Sequence, residues 1–181
     1  MKIAVYCGST FGNDPEMMRL TQELGKMIAE GGHSLVYGGG KIGLMGVVSQ
    51  AVLDGGGEVI GVIPEFLNGQ DRRRDNCTHM TVTRSMAERK TLMEELADAY
   101  IALPGGAGTL EEISEVISLS KLNRHQKPCI LFDIHEFYQP LKQMMDRMIE
   151  DDFLSKEDLR RVYFADSIEK IRKIINEYEK D

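Results

Sequence analysis

The feature of this 181-residue sequence that most restricts its fold is a regular alternation of short apolar runs with longer amphipathic stretches. The runs are KIAVYCG (2–8), SLVYGG (34–39), EVIGVIP (58–64), MTVTRS (80–85), AYIALPG (99–105) and PCILFDI (128–134), with VYFA (162–165) as a seventh. They are nearly continuous in Val, Ile, Leu and Tyr rather than alternating apolar with polar, which is the pattern of strands buried on both faces. Between them, residues 15–30, 43–54, 86–97, 109–122, 136–150 and 167–179 read as helices. The first of these has Pro15 in its first turn after Asp14, stops at Gly31-Gly32, and offers Met18, Leu24, Met27 and Ile28 as its buried face. The alternation predicts an α/β fold: a doubly wound, mostly parallel sheet of six to seven strands with helices on both faces. No repeat, linker or composition break divides the chain, so 1–181 is expected to be a single domain. The terminal EYEKD reads as a fraying helix end.

Charge and cysteine usage narrow the function. The formal net charge of -7 argues against DNA or RNA as the main partner, because phosphate-backbone binding shows as an excess of Lys and Arg. A local basic pocket for one small phosphate stays compatible with it. Cys7, Cys77 and Cys129 form no C-x-x-C pair, and an odd count gives no disulfide framework, so a reducing cytoplasm is the expected setting. The opening MKIAVYCGS turns polar too soon for a signal peptide, and no apolar run approaches the length that spans a bilayer, so no membrane association is expected. The four histidines show no metal-ligand spacing.

Sheets of this class bind ligands at the carboxyl ends of their strands. Three glycine motifs fall at such ends: Gly8-Ser9 after the first strand, GGGKIGLMG (38–46) after the second, and LPGGAGTLEE (103–112) after the fifth. Gly38, Gly40 and Gly43 satisfy G-x-G-x-x-G, but the dinucleotide version follows the first strand and has an acid at the end of the next. Here the nearest acid, Glu65, comes late, and the P-loop pattern is absent. What remains is the physical use of glycine: it lets backbone N–H groups approach a phosphate closely at the positive end of a helix.

The third motif carries the most chemistry. Gly105, Gly106 and Gly108 form a cradle before a helix. Thr109 with Glu112 also matches a capping box, T-x-x-E, which is a purely structural device. Two observations favour a catalytic use. A cap does not require P-G-G-x-G, which is costly to order. In addition, MAERK (86–90) opens the preceding helix and brings Arg89 and Lys90 to the same edge. A glycine cradle, two cations and a carboxylate suit a phosphorylated substrate with chemistry beside the phosphate. Glu111 and Glu112 lie about 100° apart around a helix, so they face different ways, whereas Glu115 shares a side with Glu112 and is the best second acid. Arg72-Arg73-Arg74, in the long irregular stretch 65–78, reads either as a solvated loop or as a mobile loop near an anionic ligand.

Together these motifs resemble the LOG (Lonely Guy) family. PGGAGTLEE fits its P-G-G-x-G-T-x-x-E element, MAERK its upstream Arg-Lys element and YGGGKIGLMG its second glycine loop. The resemblance implies a Rossmann-like homodimer that hydrolyses the N-glycosidic bond of a nucleoside 5′-monophosphate, AMP or a cytokinin riboside 5′-monophosphate, to free base and ribose 5-phosphate. It implies Arg89 and Glu112 as the catalytic pair. Lys90 and the span from Gly106 through Ala107, Gly108, Thr109, Leu110 and Glu111 to Glu112 are implied as substrate contacts, and Ser118 falls where relatives place a Thr near the ligand. Gly8, Ser9, Gly39, Gly40, Met86, Gly105 and Glu115 complete the expected substrate site; no metal or cofactor is called for. Ala87 stands where relatives often have His, and Leu119 where they often have Trp; both positions bear on base preference.

The chemistry expected is stabilisation of an oxocarbenium-like ribose by Glu112, which also accepts a proton from the attacking water, with Arg89 holding Glu112 and neutralising phosphate. The competing reading is a non-catalytic nucleotide or cofactor binder similar to molybdenum-cofactor carrier proteins. Such a carrier would use the glycine loops but not an acid at the scissile bond. In helix 109–122, Leu110, Ile113, Val116, Ile117 and Leu119 spread over more than one side. That spread reads either as a helix deeply buried within the monomer or as an interface between two copies beside the active sites; the family resemblance favours the second, with 65–78 as the segment bordering the partner's pocket.

Overall fold

The computed structural model describes residues 1–179. Seven strands form one all-parallel sheet: β1 Lys2–Tyr6, β2 Ser34–Tyr37, β3 Val59–Pro64, β4 His79–Thr83, β5 Ala99–Ala102, β6 Cys129–Phe132 and β7 Val162–Ala165. Among the described residues five α-helices connect strands, α1 Pro15–Glu30, α2 Gly43–Asp54, α3 Met86–Leu96, α4 Ala107–Lys121 and α5 Gln139–Glu150, and α6 Ile168–Tyr178 follows β7. The spatial order is β4-β3-β2-β1-β5-β6-β7, so the winding reverses between β1 and β5. The doubly wound α/β expectation is met, with seven strands. The expected terminal fraying concerns EYEKD, whose residues 180–181 lie outside the described residues. Among the described residues no helix is long and apolar enough to cross a membrane.

Alternate residues of each central strand feed two cores. Ile3 and Val5 of β1 join α1, α2 and α6 on one face through Leu24, Val48 and Ile171. Ala4 and Tyr6 join α3, α4 and α5 on the other through Met93, Ile113 and Met145. This explains the unbroken apolar runs, since both faces of β1, β5 and β6 are covered. The two edge strands are less covered: β4 has only Thr83 fully buried and β7 only Ala165.

Local sequence sets the helix ends. Asp14 caps α1, its carboxylate accepting from Glu16 N at 2.9 Å, with Pro15 at the first helical position. The buried methionine of that helix is Met17, whereas the expected Met18 is half exposed; one residue of slip rotates the apolar stripe by about 100°. Gly25 is where α1 crosses α2, and a Cβ there would lie 2.6 Å from the Ala51 Cβ.

The long irregular stretch is more ordered than its composition suggests. Arg73 bridges Gly40, Lys41 N donates to Arg72 O at 2.8 Å, and Arg74 N donates to Gly39 O at 2.9 Å. The three arginines separate. Arg72 is exposed, but Arg74 is buried and donates to Gly46 O at 2.8 Å and Gln50 Oε1 at 2.7 Å. For Arg74 the solvated-loop reading is therefore corrected: it staples the strap 69–74 to the start of α2.

Candidate active site

The crevice where the winding reverses is bounded by the loops after β1, β2 and β5, which follow neighbouring strands and meet at glycines. A Cβ on Gly105 would lie 3.1 Å from Gly8 N. Gly43, at φ +65°, presses against the Ser9 backbone where any side chain would collide. Convergence of the three glycine motifs, left open by the sequence, is thus a consequence of strand order.

Helix α3 starts at the edge, after β4, and crosses back over β3, β2 and β1. Its N-terminus is a capping box: Ser85 Oγ accepts from Glu88 N at 3.1 Å, and the Glu88 carboxylate accepts from Arg84 N at 2.9 Å. This fixes the first turn and aims Arg89 inward. The Arg89 Nε–H donates to Val62 O at 3.1 Å, and Nη1 lies 3.5 Å from Met86 Sδ. The guanidinium abuts Gly38, in space that any Cβ at that position would occupy.

Nη1 of Arg89 also sits 3.2 Å from Glu112 Oε1, and both side chains are about nine-tenths buried. The contact is close enough for charge pairing but not aligned as a hydrogen bond, so Oε1 is buried without a hydrogen-bond partner. Burial raises the Glu112 carboxyl above its ordinary value, and Arg89 opposes that shift. Cys7, next to this pair, is pushed up by burial and by Glu112, which keeps it a neutral thiol rather than a nucleophile.

The capping-box reading of Thr109 and Glu112 is overturned. Helix α4 starts two residues earlier, at Ala107, with extended Gly106 as its cap and no side-chain cap bond. Thr109 is already the third helical residue, buried, with its hydroxyl folded back against Gly105. The N–H groups of the first turn are therefore left without a capping side chain. A Cβ on Gly106 or Gly108 would meet nothing within 4 Å. Neither glycine is required by contacts within the chain, and Gly108 costs helix stability relative to Ala.

A cleft of about 200 Å³ is lined by Cys7, Gly8, Ser9, Met45, Met86, Arg89, Gly106, Gly108, Thr109, Glu111 and Glu112. Through Ser9 and Met45 it adjoins a mainly apolar cavity of about 380 Å³ walled by Ile42, Ile63 and Leu67, with Gly38, Gly40 and Arg72. Through Gly8 and Gly106 it adjoins a cavity of about 430 Å³ that includes Gly105, Phe11, Phe137 and His135.

Of the expected site residues, the structure brings Arg89, Glu112, Met86, Gly8, Ser9, Gly106, Gly108, Thr109 and Glu111 to one cleft, with Gly40 and Gly105 in its extensions. Ala107 and Leu110 are exposed at the start of α4 without lining the cleft, and Gly39, at φ +74°, is buried against Ile63. Ser118 is exposed farther along α4, away from these walls. Lys90 and Glu115 pair with each other at 3.0 Å on the flank of α4. Sequence reasoning missed Cys7 and Met45; the signal for both was adjacency to the glycine motifs at Gly8 and Gly43.

Residues 45–175 match a family model described as "Possible lysine decarboxylase". The chain is 43% identical over 183 residues to the cytokinin riboside 5′-monophosphate phosphoribohydrolase LOG of Oryza sativa subsp. japonica, covering 98% of this chain and 75% of that protein. It is 40% identical over 168 residues to the cytokinin riboside 5′-monophosphate phosphoribohydrolase of Rhodococcoides fascians, covering 92% and 85%. Among solved structures, the molybdenum cofactor carrier protein of Chlamydomonas reinhardtii superposes with a TM-score of 0.75 at 20% identity, over 99% of this chain and 98% of that one, a likeness of fold alone. With the glycine-walled cleft, the buried Arg89–Glu112 pair and these nearly full-length relatives, the chain belongs to the LOG family.

Proposed function

We propose that this protein hydrolyses the N-glycosidic bond of a nucleoside 5′-monophosphate, AMP or a cytokinin riboside 5′-monophosphate, to free base and ribose 5-phosphate. The observation that carries the reading is the buried Arg89–Glu112 pair beside the open, uncapped N-terminus of α4. The 5′-phosphate binds the first-turn N–H groups, in the space beside Gly106 and Gly108. That anchors C1′ of the ribose at the Glu112 carboxylate.

As the C1′–N bond lengthens, its electron pair leaves with the base and positive charge grows on the ribose. The carboxylate stabilises that charge. It then accepts a proton from the water whose oxygen bonds to C1′, and passes it to the departing base nitrogen. Burial suits Glu112 to this work, because a raised pKa makes its carboxylate a stronger base, while the adjacent Arg89 favours the ionised form. A cofactor carrier would have no use for an acid in this position. A lysine decarboxylase activity finds no support here either, since Lys90 is held by two carboxylates.

The protein is further read as a homodimer in a cytoplasmic setting. The first is supported by Leu110, over two-fifths exposed at the start of α4 beside the cleft. The second is supported by three free cysteines. Light scattering at micromolar protein should give about twice the monomer mass.

The function is tested by incubating the protein with AMP, adenosine and cytokinin riboside monophosphates and measuring ribose 5-phosphate or ribose. AMP should be cleaved far faster than adenosine. Equal rates on the two would overturn the phosphate cradle, and no release from any monophosphate would overturn the activity.

A further inference from the structure

We propose that Arg74 is a positioning residue for the base end of the site: it pins the strap 69–74 onto the second glycine loop and so keeps intact the apolar cavity that receives the nucleobase. The inference rests on the proposed hydrolase reading and concerns a side chain that lines neither the reaction cleft nor that cavity.

Where the base goes follows from the order of groups along the crevice. The reaction cleft adjoins one cavity through Gly8 and Gly106, on the side of the phosphate cradle. It adjoins the apolar cavity of about 380 Å³ through Ser9 and Met45, and Arg89 abuts Gly38 in the wall of that cavity. With the 5′-phosphate at Gly106 and C1′ at Glu112, a base on C1′ extends away from the cradle and into the apolar cavity.

That cavity has two walls from separate parts of the chain. Gly38, Gly40, Ile42 and Met45 come from the glycine loop and the start of α2, while Leu67 and Arg72 come from the segment after β3. The strap meets the loop in one antiparallel bridge, Gly40 with Arg73, flanked by the bonds at Lys41 N and Gly39 O, and Lys41 Nζ adds a bond to Gln70 O at 2.6 Å. So short a pairing is marginal by itself. Arg74 ties it to a rigid element. Its buried guanidinium donates from Nη2 to Gly46 O at 2.8 Å, and from Nη1 to Gln50 Oε1 at 2.7 Å and Asn76 Oδ1 at 3.2 Å. Gly46 and Gln50 lie one turn apart on α2, a spacing that the planar fork of arginine spans. Gly46 is also where α2 seats on the loop, since a Cβ there would lie 2.2 Å from Lys41 O. Strap, loop and helix thus meet at one side chain. The phosphate cradle on α4 and the Arg89 bond to Val62 O do not pass through it.

The test compares AMP with ribose 5-phosphate, which lacks the base. In Arg74→Met the KM for AMP should rise on the order of tenfold, the scale of a lost buried hydrogen bond to a charged group. Inhibition by ribose 5-phosphate should stay at the parent's strength, and amide exchange should quicken across 69–74 but not in the first turn of α4. Gln50→Ala, which leaves the bond to Gly46 O, should raise KM less, and adding it to Arg74→Met should raise KM no further. An unchanged KM for AMP would overturn the proposal. So would a loss shared equally by ribose 5-phosphate, which would make Arg74 a prop of the whole fold. If circular dichroism shows Arg74→Met unfolded, the same comparison in Gln50→Ala decides by the same two outcomes. If the parent released no ribose 5-phosphate, the hydrolase reading would fall, and calorimetry with AMP and ribose 5-phosphate, then free of turnover, would still decide the part played by Arg74.

Discussion

Arg89 and Glu112 stand 3.2 Å apart, buried together, yet no hydrogen bond is aligned between them. Arg89 is fixed elsewhere, by the Val62 carbonyl and by its close contact with Gly38, so it supplies charge without occupying the carboxylate's lone pairs. An acid held this way is buried, faces a positive charge and is still free to take a proton.

Glu112→Gln should fold normally and lose at least about 100-fold in kcat, because the amide neither accepts the proton nor balances charge on the ribose. Affinity for ribose 5-phosphate should survive. Glu111→Gln should be mild, since that side chain is exposed and salt-bridged at the cleft's rim. Steady-state kinetics with calorimetry separates the two variants; an inactive Glu111→Gln beside an active Glu112→Gln would reverse the assignment.

The same substitution should raise stability, and more so at neutral than at acid pH. Burial raises the folded-state pKa of Glu112 above its unfolded value. Within that window the folded protein therefore binds more protons, and it loses stability as pH rises through the folded pKa. Gln carries no such dependence. The melting temperature of Glu112→Gln should exceed the parent's by on the order of a few degrees at pH 7, with the gap closing toward pH 4. A gap that widened toward acid would mean that Arg89 outweighs burial.

Gly108→Ala should stabilise the protein by up to about 1 kcal/mol while raising KM for AMP. The added methyl meets no protein atom. Any loss of binding therefore reports what the open space holds. Unchanged KM alongside a higher melting temperature would show that phosphate binds elsewhere.

At Gly38 an added methyl has the opposite consequence. A methyl there enters the space of the Arg89 guanidinium. Gly38→Ala should push Arg89 off Glu112 and reduce kcat by on the order of 100-fold, as expected for a misplacement of about 1 Å. Circular dichroism should show the fold intact.

Much of this architecture was legible in the sequence because both-face burial writes itself as unbroken apolar runs. Arg89, Glu112 and the glycine loops were legible because ligand sites of such sheets gather at strand ends. The failures have a common cause. Thr109-x-x-Glu112 reads as a cap, yet α4 begins at Ala107 after an extended Gly106 that offers no capping side chain, and the side-chain cap that forms is Ser85 with Glu88 at α3. Arg72 and Arg74 are alike in sequence, but Arg74 finds its partners 24 and 28 residues away. Lys90 adjoins Arg89 in the chain and points about 100° from it on the helix, toward acids on another element. A local pattern names the residue type; only the packing of a second element tells which neighbour it meets.

The edge position of β4 has a further consequence, for motion rather than chemistry. The Arg89 helix is launched from that exposed strand, yet its guanidinium is anchored to Val62 in β3, one strand further in. The margin of the sheet can therefore breathe without disassembling the reactive pair. Amide exchange at His79–Thr83 should run orders of magnitude faster than at Tyr100 and Ile101 in the middle of the sheet, and saturating ribose 5-phosphate should slow exchange at the first turn of α4 while leaving β4 as fast as before.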